Sequence, residues 1–302
     1  MPVGWRLKAV VIALAILLAA SLAGLMWLQG RYSGTLRVTT TTSLYATGLL
    51  DLLADEFQEK YPGVSVQFIP VGSGEALRRA SLGDADAVTV HAPSLEAQYI
   101  EEGYLVDGRI FAYNHFIVVG PPEDPAGVSG ADPVEAMRRI YEAGERGEAL
   151  FVSRGDNSGT HVKELSLWEA AGLDPRGRPW YIESGSGMSQ TLMLANEKRA
   201  YTLSDIGTYL KMSEKLPELT ILLDRGEELI NIYSVYVVNP DKVPGVNYRL
   251  AKAFADFLSS KEVQDLIASY GTEEFGRPLF YPTRGDPTGE LREAWERLAV
   301  GG

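Results

Sequence analysis

Four times in this chain a short apolar run gives way, through a handful of threonine, serine and glycine residues, to a helical pattern. The junctions are Thr39-Thr40-Thr41-Thr42-Ser43, Val71-Gly72-Ser73-Gly74, Ser153-Arg154-Gly155-Asp156-Asn157-Ser158-Gly159-Thr160 and Glu183-Ser184-Gly185-Ser186-Gly187. Strands that feed helices, which feed further strands, predict an α/β fold with doubly wound, mainly parallel sheets. In an open sheet of that kind the strand ends line one edge, where ligands bind.

The third junction carries charge. Arg154 offers a planar fork of donors to a tetrahedral or carboxylate anion, while Gly155 and Gly159 allow the backbone close to a ligand. Ser158 and Thr160 add hydroxyls beside the free N-H groups of a helix start, where the helix dipole also favours negative charge. Asp156 can hold the arginine fork. The same residues also read as an ordinary capped helix with a surface Arg-Asp pair, so this loop alone leaves both readings open. The recurrence of hydroxyl-rich junctions favours a cage for an anion, with Arg154 as its one formal counter-charge.

A length of 302 residues exceeds what one core usually fills, so two lobes are expected. Two longer apolar runs, 110–120 and 231–239, are separated by about enough chain for a small α/β domain. They predict a hinge of two crossing strands with an inserted second lobe at 117–234. The first lobe is then discontinuous, 35–116 with 235–302. Within it, the apolar positions Leu49, Leu50, Leu53 and Phe57 share a face of a helix expected over 44–61. Residues 121–133 read as a surface loop, and 291–298 as a short amphipathic stretch in a packed or frayed terminus.

Residues 1–34 are set apart as a signal or anchor segment with its linker. Trp5-Arg6-Leu7-Lys8 precedes an uncharged apolar run at 9–28, about the length that crosses a bilayer. The basic flank should stay cytoplasmic, which exports the remainder of the chain. Retention as a membrane anchor is the favoured outcome, with cleavage after Ala23 as the alternative. The formal net charge of -12 and the absence of any Lys/Arg-rich block argue against nucleic acid as a partner. With no cysteine, there is neither a disulfide nor lipid attachment through an N-terminal Cys.

Catalytic and metal chemistries fit less well. Ser158, His161 and Asp156 sit too close in one loop for the usual relay, and no Gly-x-Ser-x-Gly elbow is present. Three histidines, His91, His115 and His161, do not make a transition-metal site in a chain without cysteine. No phosphate-cradling Gly-Lys-Ser/Thr occurs, and Gly72 with Gly74 lacks the full dinucleotide fingerprint.

In order along the chain, Thr40-Thr41-Thr42-Ser43, Val71-Gly72-Ser73-Gly74, Val90-His91-Ala92-Pro93, the arginine loop through His161, Ser204-Asp205-Ile206-Gly207-Thr208-Tyr209 and Pro278-Leu279-Phe280-Tyr281-Pro282 together resemble a known family. It is the extracytoplasmic tungstate-binding proteins of ABC importers, a branch of the two-lobed type II periplasmic binding proteins related to molybdate- and phosphate-binding proteins. The resemblance covers most of the chain after residue 35. It implies an oxyanion, tungstate with molybdate as a further guest, clamped between lobes by Thr41, Thr42, Ser43 and Ser73 from the first and Arg154, Ser158, Gly159 and Thr160 from the second. It implies no cofactor and no catalysis, a monomer, and partners in a membrane permease and its separate ATPase subunit.

A phosphate-binding protein of the same fold is the alternative, since that branch shares an Arg-x-Asp-x-Ser-Gly-Thr loop; a surface-anchored hydrolase is a more remote one. Protonation separates the anions: phosphate near neutral pH keeps a proton and needs a carboxylate acceptor, whereas tungstate is a full dianion that a carboxylate repels. The phosphate proteins typically place an aspartate before Ala-Pro at the end of the third strand. His91 stands there in this chain, with strand-end packing as its plainer role.

Overall fold

β-Branched residues carry the first strand, β1 (Gly34–Thr41), which pairs in parallel with β2 (Val64–Val71) on one side and β3 (Ala87–Val90) on the other. The structure is a computed structural model that describes residues 10–19, 21 and 32–300. Helices Leu49–Lys60, Ser73–Ser81 and Pro93–Glu101 connect or follow these strands, as the alternating pattern requires. One face of the sheet packs Leu36, Val38 and Phe111 against Leu53, Phe57 and Phe254. The other packs Val88, Val90 and Val238 against Ala76, Leu77 and Ala80. Phe57 touches Phe254 and Phe257 with ring centroids 5.2 and 5.1 Å apart. Burying each such side chain is worth about 2–3 kcal/mol.

The 16-residue β4 (Leu105–Gly120) belongs to two packing systems. Its first part pairs antiparallel with β9 (Ile230–Val238), as far as His115↔Ile230. Its last residues, from Phe116, pair antiparallel with β7 (Thr202–Asp205) and β8 (Thr220–Leu223). Around that second stretch lie β5 (Phe151–Ser153) and β6 (Tyr181–Glu183), parallel to each other, with Phe151 also bridged to Tyr201 in parallel. Two further apolar clusters flank these strands, one around Trp168, Trp180 and Phe151, the other around Val152, Leu192 and Tyr209. The short β10 (Tyr281–Pro282) closes the edge of β4.

The sheet is therefore mixed, where the strand-helix alternation predicts a mainly parallel one. Apart from the short β10, which runs antiparallel to β4 at the edge, the exceptions have one cause. β1, β2 and β3 run together, and β9, returning from the second packing system, inserts between β3 and β4 in the opposite sense. Likewise β4 enters the second system against β7 and β8. Each half keeps its parallel βαβ strands and receives one strand that arrives from the other half running backwards.

The helix expected over 44–61 is broken in two, Thr42–Ala46 and Leu49–Lys60, at Gly48, which has φ 79. Tyr270 explains the break: its hydroxyl donates to the carbonyl of Thr47 at 2.6 Å and lies 3.0 Å from where a Cβ on Gly48 would sit. Near the C-terminus the helix Glu290–Val300 packs on Pro93–Glu101, with Trp295 Nε1 donating to buried Glu96 at 2.7 Å. Of the apolar run at 9–28, residues 10–19 are helical, and most of the rest lies outside the described residues. Among the described residues no helix is long and apolar enough to cross a membrane.

Gly48→Ala places a side chain in left-handed backbone and presses it on the Tyr270 hydroxyl. We expect it to lower the unfolding free energy by about 1–2 kcal/mol in urea titrations; an unchanged midpoint would contradict this account of the helix break.

Candidate functional site

Helix starts carry N-H groups with no carbonyl one turn back, and three such starts meet here. The helix Thr42–Ala46 follows N-cap Thr41, Ser73–Ser81 follows Gly72, and Gly159–Ala170 follows Ser158. Thr41 Oγ1 accepts from Leu44 N at 3.3 Å and Ser158 Oγ from His161 N at 3.3 Å, so both side chains are engaged in capping their own helices. Gly72 offers no cap, and its extended backbone brings Ser73 into the junction.

Close approach across the seam explains the glycines. A Cβ on Gly72 would lie 3.4 Å from the Asp156 carbonyl, one on Gly74 2.4 Å from Asn157 Nδ2, and one on Gly159 2.7 Å from His91 Nε2. Gly74 N also donates to the Asn157 carbonyl at 3.3 Å. At the fourth junction a Cβ on Gly187 would reach Thr42 Oγ1 at 3.8 Å. The four hydroxyl-rich junctions thus face one another, as a closed pair of lobes would bring them.

Arg154 is the centre of this arrangement and is 1% exposed. Its Nε donates to the Ser186 carbonyl at 2.7 Å, and Nη2 donates to Asp156, whose other oxygen accepts from Ser158 N at 3.1 Å. Gly155 and Asn157, with φ 61 and 54, turn the loop back under the guanidinium. Nη1 finds no partner. Of the five buried side-chain polar atoms left without one among the described residues, three are Ser73 Oγ, Arg154 Nη1 and Thr160 Oγ1. Orphaned buried donors are costly, and a group of them in facing junctions marks a place where a ligand supplies the missing acceptors.

Ser43 is buried and Thr42 half-buried on the same side. Ser43 Oγ lies 3.4 Å from Thr41 Oγ1 and 3.4 Å from His91 Nε2. All eight residues singled out in the sequence, Thr41, Thr42, Ser43, Ser73, Arg154, Ser158, Gly159 and Thr160, therefore fall in the facing junctions. Thr41 and Ser158 cap their own helices, and Gly159 opens the second of them. Ser158, His161 and Asp156 form no relay: Nδ1 of His161 accepts from Asn157 N at 3.0 Å, and Ser158 Oγ is held by the His161 backbone.

His91 is more deeply involved than strand-end packing suggests. Its ring stacks on Tyr233, with centroids 5.0 Å apart, and on Phe116. Nδ1 lies 2.8 Å from Asn231 Oδ1; the amide of Asn231 is fixed because its Nδ2 donates to Asn114 Oδ1 and the Tyr233 hydroxyl. Nδ1 is then the protonated nitrogen, and the Nε2 lone pair faces Ser43. Burial, against the pull of Asn231 and with help from Arg154, drives the ring's pKa down to about 4. Two nearby carboxyls are pushed up by burial: Asp205, and Glu164, which reaches about 7 even though the Tyr181 hydroxyl donates to it at 2.6 Å. Ser186 lies in the fourth junction read from the sequence, but nothing there pointed to its carbonyl holding Arg154, and nothing pointed to Asn231.

The same low pKa makes a stability prediction. His91 is protonated more readily unfolded than folded, so stability is full above about pH 6.5, falls as pH drops, and the loss is complete below about pH 4. Between those limits the native chain should lose about 3 kcal/mol more than His91→Gln does, by urea titration at stepped pH. Parallel curves would show that His91 is not buried neutral.

Known proteins match this chain over most of its length. A model of the PBP superfamily domain matches residues 29–262. The tungstate-binding protein TupA of Peptoclostridium acidaminophilum is 40% identical over 249 residues, 82% of this chain and 86% of its own length. The solved structure of the tungstate ABC transporter from Geobacter sulfurreducens is 42% identical with a TM-score of 0.69, over 78% of this chain and 98% of that one. TupA from Desulfovibrio alaskensis G20, also solved, is 38% identical with a TM-score of 0.70, over 83% and 99%.

Proposed function

We propose that the chain captures tungstate outside the cytoplasm for an ABC importer; it belongs to the PBP superfamily and, within it, to the family of tungstate-binding proteins. It is a solute-binding protein and not an enzyme, and it works with a permease and an ATPase subunit. The observation that carries the choice of an anion is the set of orphaned buried donors, Ser73 Oγ, Arg154 Nη1 and Thr160 Oγ1, around facing helix N-termini. Tungstate is a dianion with four equivalent acceptor oxygens. Hydroxyls, backbone N-H groups and one guanidinium satisfy it without a protonated guest.

In this reading Arg154 supplies the charge, and Asp156 with the Ser186 carbonyl keeps its fork aimed. Ser73 and Thr160 donate hydroxyl hydrogens from opposite sides, and first-turn N-H groups at Thr42, Ser43, Gly159 and Thr160 complete the cage. Asp156, occupied by Arg154 and Ser158 N, is not placed to accept a proton from the guest, which favours tungstate or molybdate over hydrogen phosphate. Lobe I comprises 35–116 with 235–302 and lobe II 117–234. Closure on β4 and β9 buries the ion, and the permease reopens the cleft.

The run at 9–28 holds the monomer at the membrane uncleaved. Mass spectrometry of the native protein should then recover the N-terminus with that run attached; a chain starting after Ala23 would contradict it.

Calorimetric titration of the full chain should give tight, one-to-one tungstate binding and no response to phosphate. Arg154→Ala should weaken tungstate by about 3 kcal/mol, roughly a hundredfold. Arg154→Lys should recover part of this, because it restores charge but not the fork. Tight phosphate binding without a tungstate response, or unchanged affinity in Arg154→Ala, would overturn the reading.

A further inference from the structure

A buried carboxyl outside the donor cage joins the segments that build half of it. Glu164 is 1% exposed and stands four residues after Thr160 on the helix Gly159–Ala170, so the two share a face about 6 Å apart along the axis. Its Oε1 accepts from the Tyr181 hydroxyl at 2.6 Å and from Trp168 Nε1 at 3.2 Å, neither of them a cation. Ser153, which closes β5, and the Arg154 amide lie near enough to favour its charge. Tyr181 begins β6, which runs on to the Ser186 carbonyl that holds Arg154 Nε. One side chain thus ties the helix that starts after Ser158 to the strand that delivers Arg154 and to the strand that delivers its support.

We propose that Glu164 is a positioning residue for the oxyanion and takes up a proton from solvent when the dianion binds. A dianion at the start of this helix sets two negative charges within a few turns of the carboxyl, inside the protein, where repulsion is weakly screened. Like charge raises a carboxyl's hold on its proton. Burial has already brought Glu164 to about 7, against the pull of Tyr181, Ser153, Trp168 and the Arg154 amide, so a modest further rise carries it across neutral pH. Ser153 Oγ, buried without a hydrogen-bond partner, is an acceptor at hand for the new proton. The complex then holds the proton more tightly than the free chain, and tungstate binds more tightly as pH falls.

The ionisable groups on the packed elements are few. From β6 come the Tyr181 phenol and, acting on it, Glu183; from β7 comes Asp205, itself buried and drawn by Arg154. The helix Pro133–Glu145 adds Met137 and Ile140 to the same core, while its Arg138 reaches the Ala171 carbonyl and its Glu145 takes Trp180 Nε1. On Glu164's own helix, His161 accepts from Asn157 N and Lys163 feels Glu228. Asp205, His161 and Lys163 can add their own pH response, so the test reads a difference between chains.

This inference rests on the proposed function, and the experiment keeps their failures apart. Calorimetry of the full chain with tungstate at pH 7.5, in buffers of different ionisation enthalpy, should show the native chain taking up about half a proton more than Glu164→Gln. From pH 9 to pH 6.5 the native affinity should rise at least about fivefold more than the variant's, and the two should agree at the acid end, because Gln keeps an acceptor for Tyr181 and Trp168. Glu164→Leu, which lacks it, should weaken tungstate at least about tenfold at every pH. Tyr181→Phe removes a donor that holds the charge, so the rise should move to higher pH; it decides the matter if the Glu164 variants do not fold. Equal proton uptake in native and Gln chains, full affinity in the Leu variant, or an unmoved rise in Tyr181→Phe overturns the inference and leaves the function standing. No tungstate binding by the native chain at any pH overturns the function, and this inference with it.

Discussion

A guanidinium withdrawn from water is the constraint around which the rest of this structure is arranged. Arg154 is 1% exposed, and its charge is only partly answered by Asp156 and the Ser186 carbonyl. Burying such a group without full compensation costs several kcal/mol. In the proposed reading the cost is offset when an anion completes the shell at Nη1, and the surrounding junctions leave that nitrogen without a partner from the protein. Gly155 and Gly159 bring backbone close, and Gly72 and Gly74 let the opposite loop approach to contact.

Selectivity then depends on what the cage lacks as much as on what it holds. The donors that face the space are hydroxyls, amides and one arginine. Asp156, which holds the arginine, is engaged on both oxygens. Asp205 caps its own helix through Thr208 N and Oγ1. His91 remains neutral because it is sealed between Tyr233 and Phe116. A net charge of -12 could not draw a dianion from afar, so capture depends on this local field.

Much of this was legible in the sequence because short-range rules govern it. Strand-to-helix junctions rich in Thr, Ser and Gly announce helix starts and strand ends, and Arg154 beside Asp156 announces a buried or surface pair. What the sequence could not supply is set by distant contacts. The antiparallel passage of β9 between β3 and β4 depends on where a returning strand finds a partner. The break at Gly48 depends on Tyr270, 222 positions away in sequence by their numbers. Asn231, which sets the tautomer of His91, lies in an apolar strand, where nothing local distinguishes it from a core residue. The facing junctions were readable as sets of donors; the groups that orient those donors were not.

The most direct test of the central claim is the position of the metal itself. A crystal of the full chain with tungstate, measured at the tungsten absorption edge, should give one strong anomalous peak within hydrogen-bonding reach of Ser73, Arg154 and Thr160 through its oxygens. A tungsten peak elsewhere in the fold, or none at saturating tungstate, would contradict the account.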